Sequence, residues 1–111
     1  MEPILIKEGL KFKDYDVNVY RTRYVSDPRN AIIITDQITR ELLFVASCNL
    51  PEYPCGEHQT YIKNWSENEG ILPWLIEQGI VSKPITSVPT GHVEAQLVNI
   101  IHLQEPVILM N

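Results

Sequence analysis

The chain has 111 residues, of which 44% are hydrophobic and 21% charged, and its formal net charge is −5. That length suits one core and excludes two, while the apolar content excludes a disordered chain. With Lys and Arg at 9 against Asp and Glu at 14, non-specific nucleic-acid binding is also excluded, because it needs surplus cations to displace counterions from phosphates. The carboxylates are spread along the chain and form no run at phosphate-like intervals. They keep the protein soluble or face a basic partner surface.

Residues 1–8 contain no cationic stretch followed by a long apolar one, so they do not read as a signal peptide. No apolar stretch approaches the roughly 20 residues that span a bilayer. Without a secretory signal, Cys48 and Cys55 are expected to be reduced, and the cytoplasm is the expected location, with no membrane contact.

Residues 17–24 mix polar and apolar β-formers and read as a strand, followed by turn chemistry at Asp27, Pro28 and Asn30. Residues 31–35 are a short apolar run suited to a central strand, and residues 36–40 a polar turn. The strongest strand signal starts at Leu42. One face carries Leu42, Phe44, Ala46, Cys48 and Leu50; the other carries Leu43, Val45, Ser47 and Asn49 and turns polar towards its end. Pro51 and Pro54 stop it, since neither has the amide donor that a ladder needs. Residues 61–63 read as a brief strand.

A helix follows over residues 68–78, with Ile71, Leu72, Leu75 and Ile76 on one face. Ser66 and Glu69 have capping-box spacing, and Asn68 is a competing N-cap. Pro73 is tolerated in a first turn and not deeper, which favours a start near Asn68. Gly79 suits the left-handed residue that ends it. Residues 82–90, with Pro84 and Pro89, read as a connection. Residues 92–101 then alternate, with Val93, Ala95, Leu97 and Ile101 inward and His92, Glu94 and Gln96 outward. Residues 103–111 form an apolar tail, expected to dock on the chain itself or on a partner subunit. The whole reads as a single α+β domain: an antiparallel sheet of four to five strands with one short helix on one face, its core spanning residues 17–101.

Several of these segments resemble a known family. They are Asn49-Leu50-Pro51, then Tyr61-Ile62-Lys63-Asn64-Trp65-Ser66-Glu67-Asn68-Glu69-Gly70-Ile71, then Gly79-Ile80-Val81, then Val88-Pro89-Thr90-Gly91-His92-Val93. The resemblance covers roughly residues 17–101 and is to small proteins of unknown function from bacteriophages, mobile elements and gut bacteria. It implies a phage or mobile-element context and brings no activity or site with it.

Cys48, Cys55, His58 and His92 are of metal-binding type, but the two cysteines are too widely spaced for a usual knuckle, and Cys48 falls on an apolar strand face. No metal and no cofactor is expected. Cys55 with His58 would need a depressed thiol pKa to act as a nucleophile, and Glu67 with Glu69 a cleft that raises one carboxyl. A surface turn and a helix start account for both without chemistry. No phosphate-cradling glycine loop is present, and no catalytic residue is assigned. The binding residues expected are Trp65, Glu67, Asn68 and Glu69, where an aromatic anchor stands beside hydrogen-bonding groups, with Tyr61 and His92 as further members. The expected function is noncatalytic: occupation of a host protein, such as a defence component, with the tail docked on the chain itself or joining two copies. The alternative is a pocket between sheet and helix that binds or sequesters a small molecule or nucleotide. An enzyme of unrecognised type comes third.

Overall fold

A computed structural model describes residues 3–101. It contains strands β1 (Ile4–Phe12), β2 (Tyr15–Arg23), β3 (Asn30–Asp36), β4 (Leu42–Val45), β5 (Ser47–Cys48), β6 (Gln59–Ile62), β7 (Thr86–Thr90) and β8 (Val93–Asn99). A 3-10 turn, Ser66–Asn68, leads into a single α-helix, α1 (Ile71–Glu77). The strands form two antiparallel sheets, ordered β1-β2-β3-β4 and β5-β6-β8-β7. The α+β class is as expected, and the strand count is higher for reasons that lie in particular residues.

β1 escapes a sequence reading because its alternation is interrupted. Its register against β2 jumps between Leu5 and Lys7 and again between Lys7 and Leu10. Gly9 adopts φ 69°, and its N–H is taken at 3.0 Å by the Asn18 side-chain oxygen on β2. Such a bulge breaks the period of two on which strand recognition depends. β2 and β3 pair without interruption from Val17↔Asp36 to Arg23↔Asn30. The Asp36 carboxylate then accepts the N–H groups of Ile38 and Thr39, both at 2.8 Å, which holds its pKa below the usual carboxylate range.

The long alternating run from Leu42 is one stretch of chain shared by two sheets. It divides at Ala46, whose N–H donates to Ile32 O in the first sheet while its carbonyl accepts from Lys63 N–H in the second, each at 2.8 Å. Where the chain turns away, Ile32 N–H would lose its acceptor. The Ser47 hydroxyl supplies one at 3.0 Å and is itself hydrogen-bonded to the Tyr24 hydroxyl at 2.8 Å. Ser47 is therefore buried, although the alternation placed it on the outer face. Leu42 is the converse: expected inward, it is 57% exposed. A register shift pairs Thr35 with Leu42 directly after Ile34 pairs with Phe44, so Leu42 falls on the opposite face from Phe44.

In the second sheet, β7 replaces the expected connection. Pro89 sits in it opposite Glu94, which is tolerable because β7 is an edge strand with one row of amides facing no neighbour. β8 is covered on both faces. Val98 and Ile100 enter the main core, whereas Ala95 and Leu97 meet a second cluster with Tyr61, Tyr53, Cys55 and Trp65. The alternation found this second face. Its ends run beyond the cover, leaving Val93 at 36% and Ile101 at 60% exposure instead of inward.

The main core lies between the sheets and α1, and joins Val17, Val19, Ile32 and Ile34 to Ile62, Leu75, Ile80 and Val98. Each such fully buried aliphatic side chain contributes about 1.5–3 kcal/mol. α1 is shorter than expected. Its N-cap is Gly70 at φ 89°, not Ser66 or Asn68, and the side chain that caps its amides is Asn64, which accepts Leu72 N–H at 2.9 Å. Pro73 thus lies in the first turn, where its missing N–H costs nothing. Gly79, at φ 75°, ends the helix as expected: Gly79 N–H reaches Ile76 O and Ile80 N–H reaches Leu75 O, both at 3.0 Å. The expected docking of residues 103–111 falls outside the described residues.

Replacing Ser47 by Ala leaves Ile32 N–H buried without an acceptor. Urea unfolding should show a loss of about 1–3 kcal/mol, with Tyr24→Phe costing less because it removes only the outer partner. Equal, negligible losses for both variants would refute the role assigned to the hydroxyl.

Candidate functional site

The segment from β6 to α1 carries most of the expected binding residues, and its shape is set from below. Asn68 is fully buried, and its side-chain N–H donates to Val45 O at 2.7 Å. This ties the 3-10 turn to edge strand β4. Asn64 holds the other end by capping Leu72. Between these anchors Ser66 is forced to φ 56°, a left-handed conformation that costs a serine of order 1 kcal/mol or more and persists only where neighbours impose it. The result is a rigid turn that projects Ser66, Glu67 and Glu69 outward, all three exposed.

Two lysines brace the turn. Lys63 Nζ meets Glu67 Oε2 at 2.8 Å, and Lys13, from the β1–β2 hairpin, donates to Glu67 O at 2.9 Å while lying over the Phe12 and Phe44 rings. The Lys63 hydrogen bond is the main reason the Glu67 carboxyl titrates below the usual range. Glu67 thus presents a fixed carboxylate in the ionised form.

Trp65 and Tyr61 meet in the second cluster. Tyr61 is buried and donates its hydroxyl to Pro54 O at 2.6 Å, while Tyr53 donates to Pro89 O at 3.0 Å. Together they pin the 51–56 loop over the second sheet. Trp65 is half-buried, with one side on this cluster and the rest at the surface. His92 is exposed at the turn between β7 and β8, three residues from Ala95, a member of the same cluster. The residues named from sequence therefore divide by role. Asn68 and Tyr61 hold the segment from inside, whereas Trp65, Glu67 and Glu69 meet solvent, with His92 on the neighbouring hairpin.

Sequence reasoning missed Lys13 and the Val45 carbonyl, which become neighbours of the turn only through tertiary pairing. It also missed an open groove of about 550 Å³ at the β2–β3 turn, lined by Arg23, Tyr24, Val25 and Asp27 among others. Arg23 there already donates to Pro28 O, and Arg29, beside the groove, is engaged by Asp27 and by Leu50 O.

The thiols do not resemble nucleophiles. Burial pushes Cys48 up to about 11 and raises Cys55 as well, opposite to the shift a reactive thiolate needs. Among the described residues, no group of three His, Cys, Asp or Glu side chains is arranged to hold a metal ion. No described helix is long and apolar enough to cross a membrane. No protein-family model, curated protein or solved structure matches the chain.

Burial also lifts Tyr24 to about 12, and this shift and that of Cys48 have one consequence. Both Tyr24 and Cys48 stay protonated in the folded state at pH values where the unfolded chain has lost those protons. The stability that these two groups contribute is therefore fully present below about pH 9 and declines as pH rises from there towards 12. Chemical denaturation across that range should show the decline, and Cys48→Ala should flatten its lower part. A stability that rose with pH there would contradict both assignments.

Proposed function

We propose that this protein is a noncatalytic binding protein that occupies another protein through the Trp65–Glu69 turn. The observation that carries the reading is the left-handed Ser66 held between two side-chain anchors. Lys13 and Arg40 are left-handed too, in the β1–β2 and β3–β4 turns, so the conformation of Ser66 supports pre-organised recognition through its neighbours, an aromatic and two exposed carboxylates. Trp65 serves as the aromatic anchor and Glu67 and Glu69 as the acidic rim, which suits a partner presenting an apolar pocket edged by Lys or Arg. The resemblance to phage and mobile-element proteins supports a bacterial host protein, such as a defence component, as the target, and the cytoplasm as the meeting place.

The test is native mass spectrometry of tagged protein drawn gently from a bacterial host lysate, followed by affinity measurement with the partner so identified. Trp65→Ala should weaken binding by about 30-fold or more, the effect of losing a central aromatic anchor. A Glu67→Gln, Glu69→Gln double variant should slow association and reduce its salt dependence while leaving dissociation nearly unchanged. Asn68→Ala should lower stability instead, since it removes the hydrogen bond that ties the 3-10 turn to β4. Full affinity in the Trp65→Ala variant would overturn the proposal.

A further inference from the structure

The first sheet has two faces, and only one of them belongs to the main core. Along β3, Ile32 and Ile34 point into that core, so the alternation directs Ile33 and Thr35 to the other side. On this outer face Leu5, Tyr20, Ile33 and Val45 stand in register across all four strands. An apolar groove of about 310 Å³ lies there, lined by Pro3, Tyr20, Ile33, Thr35, Arg40 and Leu42. Its size falls at the lower end of small-molecule sites, which run from roughly 300 to 1,000 Å³.

Two polar groups in the lining are without partners among the described residues. Thr35 is 8% exposed, and its hydroxyl makes no hydrogen bond there. A buried hydroxyl without a partner is costly, whereas one that rotates towards an arriving acceptor recovers the bond. Arg40 is the only charged residue of the lining. Its backbone N–H donates to Asp36 O at 3.0 Å, while its guanidinium has no ion pair or hydrogen bond among the described residues. In a chain of net charge −5, a groove whose one lining charge is positive stands apart. A hydroxyl donor and a guanidinium both complement a carboxylate, and the rest of the lining complements a hydrocarbon. A ligand with both parts carries one carboxylate on a short aliphatic or aryl body.

We propose that this groove is a binding site for small amphipathic monocarboxylates. The carboxylate pairs with Arg40 and accepts the Thr35 hydroxyl, and the hydrocarbon lies over Tyr20, Ile33 and Leu42. This surface is separate from the Trp65 turn, and the inference does not depend on the function proposed for that turn.

NMR titration of the full chain with octanoate, kept below its micelle-forming concentration, reads the site directly. The amide signals of Ile33, Thr35, Arg40 and Leu42 should shift and saturate. Arg40→Gln should weaken octanoate by about 10-fold or more, the loss of a charge-assisted pair, with the rest of the spectrum unchanged. Octylamine, with the same hydrocarbon and the opposite charge, should bind about 10-fold more weakly than octanoate or worse. Thr35→Val keeps the side-chain shape and removes the hydroxyl, so octanoate should weaken a few-fold while the unliganded chain loses no stability. Equal binding of octanoate and octylamine would reduce the groove to a plain apolar surface and overturn the proposal. Unchanged octanoate affinity in Arg40→Gln, shifts confined to other residues, or no saturable shift at millimolar octanoate would overturn it equally.

Discussion

The structure depends on the corner at Ala46 and Ser47. A strand that leaves one sheet to join another must give up hydrogen bonds at the point of departure, and a buried amide without a partner is too costly to tolerate. Here the backbone of Ala46 serves one sheet with its N–H and the other with its carbonyl, and the Ser47 hydroxyl fills the position that the departing strand vacates. Ala46 is fully buried, and any larger side chain there would enter the space between the sheets. The two sheets are thus held together by covalent continuity as well as by packing, and the small helix has only to close the remaining side of the core.

The parts of the fold legible in the sequence are those whose chemistry is local. The β2 and β3 strands, the Asp36 turn and the Gly79 helix end each rest on residues within a few positions of one another. The missed parts have non-local causes. β1 lost its period at Gly9 because Asn18, on another strand, stabilises the bulge. β7 was hidden by Pro89, which is permitted only because β7 lies at an edge, a fact that tertiary pairing decides. The run from Leu42 kept a period of two across a change of sheet, so nothing in it marked the corner except the serine itself. The helix start was displaced for a similar reason: Asn64 caps from outside the window in which a cap is normally sought.

The candidate site follows the same division. That an aromatic and several polar groups cluster at a helix start is visible in the sequence, and Trp65, Glu67 and Glu69 do reach the surface. Which polar groups are structural was not visible. Asn68 looked like a cap or a contact residue, and it instead secures the Val45 carbonyl on β4. Lys13 acquires its role only because the β1–β2 hairpin tip lies against the 3-10 turn. The shape of the turn is therefore a property of the assembled fold, and the candidate surface exists only when both sheets are in place.

The shared strand has a further consequence, for inheritance. Because residues 42–48 run from the first sheet into the second, a cut at Ala46 would give each piece its four strands and leave each with an uncovered core face. A genetic crossover within the chain would join halves whose corner geometries had to agree at Ile32, Ala46, Ser47 and Lys63 simultaneously. Crossovers at its ends meet no such demand. A half exchanged alone must accordingly bring the same corner geometry with it.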